Sequence, residues 1–476
     1  MPDDQRLPRP AVRRWAVAGA AAVLLAGCTA APADRPAADP APGCPAGRAA
    51  PDPARPVVSL DFRLADDRRA VTGTEAVTLT PDLPVDQLWF RLVPNAPQSA
   101  PNRLTVDAVR GPEVAGGGHV DASAAAGSPG GLYRVDLRGT VPAGTPVSVE
   151  LDFTLRLTAE RTPAGFDRLG AADDVTWWAS GFPLLTWEPG VGWARDPFVE
   201  VSGETTAAAA ADTTIRVSAP EDLVVLMTGA QDPPRPAPGG RRVWTSHEPV
   251  SRDVSVAAGA FETATARTGD TRVTAGVLPG AGPSAGELAA DTVDAIRLLE
   301  ARFGEFPYPT LTAPLVSDDG GGGGEEYASS ILLGSDDFGL VVHEVAHMWF
   351  YGMVGNSQFR DPWLDESFAS FAEGAAPDGH THEEDLDVPG DVGSPMTGFA
   401  DQDDYEQRVY GKGAAALEAA RSAAGAEDFD AALRCYVDRQ AWTIAQPADL
   451  ARALADLPEA VDVLLRAGAL DRSDVG

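Results

Sequence analysis

The chain has 476 residues and a formal net charge of −33, and 44% of its residues are hydrophobic. The length indicates two or three domains, and the apolar content is enough to build their cores. Because a strongly negative protein is repelled by phosphate backbones, the composition excludes nucleic acid as an expected partner.

The N-terminus is typical of a bacterial lipoprotein. Arg13 and Arg14 precede the apolar run WAVAGAAAVLLAGC, which is too short for a membrane-spanning helix. The run ends in Leu-Ala-Gly-Cys, similar to a lipobox, in which Cys28 receives the lipid. We therefore predict a lipoprotein signal peptide over residues 1–28 and an exported protein. Lipid on Cys28 would anchor it to the cell membrane, facing the extracellular side. An ordinary signal peptide is the alternative.

Residues 29–55 are rich in proline and alanine and carry no periodic apolar pattern, which predicts a disordered linker. Cys44 lies in this segment, and Cys435 lies near the other end of the chain. Outside the cytoplasm the two cysteines could pair, but nothing in the sequence places them near each other. The sequence leaves this disulfide open.

Residues 56–267 carry the pattern of a β domain. Apolar residues alternate strictly with polar ones from Val147 to Leu157, as in a half-buried strand. Further candidate strands are VVSLDFRL, LWFRLV, LTVDAV, TTIRVSA and DVSVAAG, separated by Gly, Pro and Asp clusters. Many strands without long helices predict an antiparallel sandwich or saddle.

The apolar period changes to a helical one after this region. Ser284 and Glu287 form a capping-box pattern, and Gly304 is the expected end of the helix that follows. We therefore predict a mainly α-helical domain over residues 268–476. The fold class of the whole chain is α+β.

The segment VVHEVAHMWFYGMVGNSQFRDPWLDESFASFAEG, residues 341–374, contains two of only 6 histidines. His343 and His347 lie one turn apart on the same face of a predicted helix, so both imidazoles can reach one metal ion. Glu344 lies about 100° around the helix, where it can act as a base on a water molecule beside the metal. A core helix with two satisfied histidines is the alternative.

A third metal ligand lies downstream. Asp361 and Pro362 predict the start of another helix, with Asp361 as its N-cap. Glu366 on this helix follows His347 by 19 positions. Two histidines and a glutamate are a catalytic zinc set that leaves one position open. We therefore predict one zinc ion per chain, bound by His343, His347 and Glu366.

HEVAH followed by WLDESFA resembles the gluzincin metallopeptidases of the aminopeptidase N family. The resemblance implies an N-terminal β saddle followed by a thermolysin-like zinc domain. GGGGEEYASSILLG stands where this family has its exopeptidase motif, which implies that Glu326 binds the α-amine of the substrate. Gly323 and Gly324 would let the substrate backbone approach. YEQRVYGKGAAAL resembles the family's tyrosine segment, which gives Tyr410 the role of stabilising the transition state.

The resemblance implies a zinc aminopeptidase acting on peptides with a free N-terminus, with Glu344 as the base. The chain departs from the family pattern at Glu325, where methionine is usual, at Tyr327, where asparagine is usual, and at Ser367, where glycine is common. The family's C-terminal helical-repeat domain is expected to be absent. A zinc endopeptidase on the same fold and a non-catalytic binding lipoprotein are the alternatives.

Overall fold

The computed structural model describes residues 44–158, 168–172, 174–203, 207–316, 323–377 and 379–475. Cys28, the predicted signal peptide and the first part of the predicted linker lie outside these residues. Among the residues described, no helix is both long and apolar enough to cross a membrane.

The first part of the fold is built from strands. They are β1 Val57–Leu64, β2 Ala70–Leu79, β3 Val85–Arg91, β4 Arg103–Arg110, β5 Val114–Val120, β6 Leu132–Val141, β7 Val147–Arg156, β8 Leu169–Ala171, β9 Val175–Ala179, β10 Leu184–Leu185, β11 Trp187–Glu188, β12 Gly192–Trp193, β13 Ala211–Pro220, β14 Val224–Met227, β15 Ala230–Gln231, β16 Arg235–Ala237, β17 Arg241–Ser251 and β18 Ser255–Gly259.

These strands form one large sheet and smaller ones. The large sheet has the order β15-β17-β13-β1-β2-β7-β4, with β16 also paired to β17. Two four-stranded sheets have the orders β10-β3-β6-β5 and β14-β18-β9-β8. Pairing is antiparallel except between β1 and β13. The predicted β-rich N-terminal fold is therefore confirmed.

Strand β7 shows how the sequence pattern forms this core. Its buried and less buried residues alternate along the strand, as the period-two pattern predicted. Side chains of successive strand residues point to opposite faces of a sheet, so the apolar set of β7 is buried on one face. Val149, Leu151 and Phe153 join the hydrophobic core of the β domain.

The second part of the fold carries the helices. They are α1 Ala285–Phe303, α2 Phe338–Ala346, α3 Trp363–Glu373, α4 Gln402–Tyr405, α5 Gly413–Ala424, α6 Ala426–Gln440, α7 Pro447–Ala453 and α8 Pro458–Ala467, with a π-helical segment over Glu406–Lys412. The predicted capping box of α1 is confirmed, because Ser284 and Glu287 bond reciprocally. Gly304 ends the helix as predicted.

A five-stranded sheet completes this part and carries one wall of the site. Its strands are β19 Glu262–Thr268, β20 Thr271–Val277, β21 Thr310–Leu315, β22 Gly324–Tyr327 and β23 Ser330–Leu333. Their order is β19-β20-β21-β23-β22, which places β22 at an edge. The predicted domain boundary between residues 267 and 268 falls inside β19. The five-stranded sheet thus begins several residues before that boundary.

Residues 44–55 differ from the predicted disordered linker. Cys44 forms a disulfide with Cys435 on α6, across a sequence separation of 391 residues. The backbone N–H of Ala49 donates to Asp438 O at 2.9 Å, and Arg55 Nε donates to Pro249 O at 2.8 Å. The prediction of disorder is wrong for residues 44–55. The segment has no apolar periodicity, but a disulfide and hydrogen bonds to distant residues hold it in place.

Candidate active site

Helix α2 positions both histidines. Asp337 caps its N-terminus by accepting a hydrogen bond from Leu340 N–H at 3.2 Å. Val341, Val342 and Val345 are fully buried in the core, which fixes the rotation of the helix. His343 and His347 are also buried, with 8% and 1% of their surface exposed. Polar rings so deeply buried require partners.

Helix α3 positions the glutamate. It begins at Trp363 with Pro362 as its N-cap, one residue later than predicted, and Asp361 contributes its carbonyl rather than a side-chain cap. Its Phe368 ring stacks on Phe350 with centroids 4.3 Å apart, which joins α3 to the segment that follows α2. Glu366 therefore points toward the two histidines from a rigid support.

The three side chains converge on one point. Glu366 Oε2 lies 3.3 Å from His343 Nε2 and 3.4 Å from His347 Nε2. His347 Nδ1 lies 3.1 Å from the carbonyl oxygen of Phe350, and since a carbonyl can only accept, Nδ1 carries the proton. The lone pair of His347 Nε2 then faces the cluster. This donor set fits zinc.

The outer nitrogen of His343 has a partner that the sequence analysis did not identify. Glu373 Oε1 lies 2.7 Å from His343 Nδ1. A carboxylate at this position fixes the ring and makes the inner nitrogen a stronger metal ligand. Glu373 follows Glu366 by seven residues, two helical turns along the same face, and this spacing is the signal that would have found it.

Burial governs the charges at the site. Burial alone would raise the pKa of Glu366, but the adjacent His343 and His347 lower it, so this carboxylate stays ionised. Burial raises the pKa of Glu344 to about 7, although the neighbouring histidines oppose the shift. A carboxylate with a pKa near neutrality can both take and return a proton.

The edge strand β22 faces this cluster. Glu326 is buried, and its Oε2 lies 4.0 Å from His347 Nε2. Gly324 faces the same way, because residues two apart share a strand face. A Cβ added to Gly324 would lie 2.5 Å from the Glu344 carboxyl carbon, so a side chain at this position would displace Glu344. Gly323 precedes the strand with φ +119°, a conformation that favours glycine.

Glu325 points away from Glu326 on the strand. It forms an ion pair with Arg168, N to O 3.2 Å, and both side chains are largely buried. Arg168 precedes β8, so the β domain contributes a residue to the wall of the cavity. The departure from the family pattern at Glu325 thus has a partner in the β domain.

Tyr410 also lines the site, next to His343. Its ring lies parallel to that of His343, with centroids 6.0 Å apart. Burial raises the pKa of Tyr410 well above its usual range, and the nearby Glu366 carboxylate raises it further. The phenol therefore keeps its proton and remains a hydrogen-bond donor.

These residues line one cavity of about 450 Å³. The structure brings together all the predicted site residues except Cys28, which lies outside the described part of the chain: Gly323, Gly324, Glu326, His343, Glu344, His347, Glu366 and Tyr410. This volume is within the range of ligand pockets in proteins. A β domain, a helical domain and a buried His-His-Glu site with a neighbouring glutamate define a gluzincin type of zinc metallopeptidase site.

Comparisons with known proteins agree with this class. Residues 328–396 match the model of the Peptidase family M1 domain. The chain is 30% identical over 135 residues to the Tricorn protease-interacting factor F2 of Thermoplasma volcanium, covering 24% of this chain and 17% of that protein. It is also 30% identical over 135 residues to the aminopeptidase N of Streptomyces lividans, covering 24% of this chain and 16% of that protein. The alignments thus span less than a fifth of these curated relatives.

Solved structures share the fold over almost the whole chain. The M1 zinc metallopeptidase from Deinococcus radiodurans superposes with a TM-score of 0.62 at 18% identity, covering 90% of this chain and 96% of that one. A mutant of that protein bound to a Tyr-Ser-Ala substrate gives a TM-score of 0.63 at 18% identity, covering 87% and 94%. The resemblance to the gluzincin metallopeptidases of the aminopeptidase N family is confirmed, and zinc is the cofactor of this site.

Proposed function

We propose that this protein is a zinc-dependent aminopeptidase that removes N-terminal residues from peptides. The observation that carries the proposal is the position of Glu326. Its buried carboxylate lies on the edge strand, 4.0 Å from His347 Nε2 and therefore beside the metal ligands. A buried carboxylate in the same cavity as the metal ligands can pair with the free ammonium group of a substrate whose first carbonyl lies at the metal.

The chain's own residues perform the acid–base steps. His343, His347 and Glu366 would hold zinc, which when bound would supply Lewis acidity toward water and the scissile carbonyl. Glu344 takes a proton from the attacking water and delivers it to the nitrogen of the leaving peptide. Its pKa of about 7 suits both halves of this transfer.

Two further groups, Tyr410 and Glu326, hold the substrate, and Gly324 makes room for the base Glu344. The Tyr410 hydroxyl donates to the carbonyl oxygen of the substrate as negative charge develops on it, where a donor stabilises most. Gly324 leaves the space in which the Glu344 carboxyl group sits. Glu326 binds the ammonium group and so sets the cut after the first residue.

Blocking the substrate's amine tests the exopeptidase assignment. We expect stepwise loss of N-terminal residues from a free peptide and little cleavage of its N-acetyl form, measured by mass spectrometry. Glu326→Ala is expected to lower kcat/KM for the free peptide on the order of 100-fold. Glu326→Gln, which keeps the size of the side chain and removes its charge, is the matched comparison. Equal internal cleavage of the free and blocked peptides would establish an endopeptidase instead.

The metal assignment has its own test. Glu344→Gln is expected to retain zinc, measured by metal analysis of the purified protein, and to lose turnover because the base is gone. His343→Ala and Glu366→Ala are expected to lose most of the zinc, since each removes one of three protein ligands. Normal turnover by Glu344→Gln would exclude this mechanism.

We also propose that the protein is exported and held at the membrane by lipid on Cys28. The Leu-Ala-Gly-Cys sequence supports this location. Cys28→Ala is expected to release the protein or leave it unprocessed, measured by membrane fractionation and mass spectrometry. A mutant that is still processed and bound to membranes contradicts the proposal.

A further inference from the structure

The hairpin that carries Glu326 turns inside the protein rather than at its surface. Strands β22 and β23 pair in antiparallel register, with Tyr327 opposite Ser330, so only Ala328 and Ser329 form the loop. Both loop residues are fully buried. Short hairpin loops usually lie in solvent, and this one is instead packed against the β domain.

Ser329 adopts a backbone conformation that is unfavourable for serine. Its φ is +52°, at the second loop position, where glycine or asparagine is usual. A residue other than glycine is disfavoured in the left-handed region, because its Cβ lies too close to the backbone carbonyl. Such strain persists where the surroundings hold the residue in place, and it is concentrated at functional sites.

The Ser329 hydroxyl is held from both sides by the β domain. The backbone N–H of Gly229 donates to Ser329 Oγ at 2.9 Å. Ser329 Oγ in turn donates to Glu248 Oε2 at 2.7 Å. Glu248 lies on β17 of the large sheet and is itself buried. A buried carboxylate needs such a donor, and glycine at position 329 would not supply one.

The neighbouring serine makes parallel contacts. Ser330 Oγ lies 2.8 Å from Ser255 Oγ on β18 and 2.8 Å from Thr312 Oγ1 on β21. The closed end of the hairpin is thus bonded to the β domain, whereas β22 has a strand partner on one side only, within the described sheet. These contacts therefore help to hold β22, together with the ion pair of Glu325 and Arg168.

We propose that Glu248 and Ser329 are positioning residues, an interdomain clamp that sets where Glu326 stands relative to the zinc ligands. Glu326 lies on β22, three residues before Ser329 in the loop, so a shift of the turn moves its carboxylate. The inference rests on the proposed role of Glu326 in binding the substrate's ammonium group. The β domain would then influence substrate recognition through the position of Glu326, without touching the substrate itself.

Two variants release the clamp in different ways. Ser329→Gly removes the hydroxyl and relieves the unfavourable φ, so the fold is retained, and Glu248→Ala removes the acceptor. Both are expected to raise KM for a peptide with a free N-terminus about tenfold, with kcat within about twofold of the wild type. Glu248→Gln keeps an acceptor oxygen and is expected to restore most of the affinity.

Ser218→Ala is the matched control. Ser218 Oγ accepts a hydrogen bond of 3.0 Å from Arg241 Nε in the same large sheet, and both residues are buried. The substitution removes a buried hydroxyl contact of similar kind that does not involve the hairpin. Its KM is expected to equal that of the wild type.

Amide hydrogen exchange tests whether the clamp holds the hairpin, independently of enzymatic activity. The amides of residues 324–333 are expected to exchange faster in Ser329→Gly and Glu248→Ala than in the wild type and Ser218→Ala. Unchanged exchange in both clamp variants overturns the inference. If the wild type cleaves free and N-acetylated peptides equally, the aminopeptidase assignment fails, and the exchange result still decides whether the clamp holds the hairpin.

Discussion

The hydroxyl of Ser367 donates a hydrogen bond of 2.6 Å to the backbone carbonyl of Val409. Ser367 follows the zinc ligand Glu366 on α3, and Val409 precedes Tyr410 in the π-helical segment. In that segment the N–H of Gly413 bonds to the carbonyl of Arg408, five residues back, instead of to Val409. The Val409 carbonyl is left to accept from Ser367. One bond thus ties the metal-ligand helix to the proposed oxyanion donor.

Ser367→Ala is expected to lower kcat on the order of tenfold and to leave KM nearly unchanged. The substitution leaves a buried carbonyl without its partner, and the π-helical segment can shift Tyr410 to satisfy it. Steady-state kinetics on an aminoacyl amide measures the effect. Ser370→Ala, a buried serine on the same helix, is the control. An equal loss of kcat in both variants would point to a weakened helix rather than a displaced tyrosine.

Gly324→Ala is expected to abolish most of the activity, by about 100-fold or more, while zinc is retained. The added Cβ would lie 2.5 Å from the Glu344 carboxyl carbon, so the base has to move. Rates and zinc content are measured on the same preparation. A variant with wild-type turnover would mean that Glu344 occupies another position during the reaction.

Glu373→Ala is expected to weaken zinc binding roughly 10- to 100-fold, although Glu373 is not one of the proposed ligands. The carboxylate accepts from His343 Nδ1 at 2.7 Å, and without it the ring is free to rotate and is less basic. Competition with a chromophoric chelator gives the affinity. Glu373→Gln keeps an acceptor oxygen and is expected to lose less. Identical affinities in all three proteins would contradict the assigned contact.

Glu248→Gln is expected to raise the stability of the protein over that of the wild type by more at pH 8 than at pH 5. Burial raises the pKa of Glu248 to about 7, although bonds from Ser329 and Val250 N–H and the nearby His247 oppose it, and Asp212 adds to it. Because the folded pKa lies above the unfolded one, the wild type loses stability as the pH rises from about 4.5 to 7, by up to about 3 kcal/mol. Thermal unfolding of both proteins across this range measures the difference. A constant gap in Tm between the two proteins would show that Glu248 does not titrate there.

Cys435→Ser is expected to lower the free energy of unfolding by about 2–5 kcal/mol, because the cross-link closes a very long loop. Cys44→Ser removes the same bond and is expected to have the same effect, with no further loss in the double variant. Thermal unfolding with and without reductant measures it. Reductant that lowers the Tm of the wild type but not of either variant confirms that one bond is responsible.

Local patterns were enough to predict the metal ligands and Glu344, whereas the roles of Glu326 and Tyr410 came from the family resemblance. Strand β7 and the capping box of α1 follow from periodicities that a few neighbouring residues determine. The positions of His343 and His347 depend only on helix geometry, and Glu366 was found because the ligand set needed a third member. In each case the residues that decide the structure lie close together in sequence.

Other features that the sequence missed or left open are contacts between distant residues. Cys44 and Cys435 are 391 residues apart, and Ser329 and Glu248 lie on different domains. No periodic pattern connects such pairs, because the path of the chain between them decides whether they meet. The sequence also did not predict that Arg168 lines the cavity, because its ion pair with Glu325 joins the β domain to a distant strand.

The disulfide makes a ring of nearly the whole folded chain. A single backbone cut at any peptide bond between residues 44 and 435 would open that ring without releasing a fragment. The two pieces would run as one band on a gel without reductant and as two bands with it. A protein nicked once in this span would therefore keep its β domain and its metal ligands in one covalent molecule.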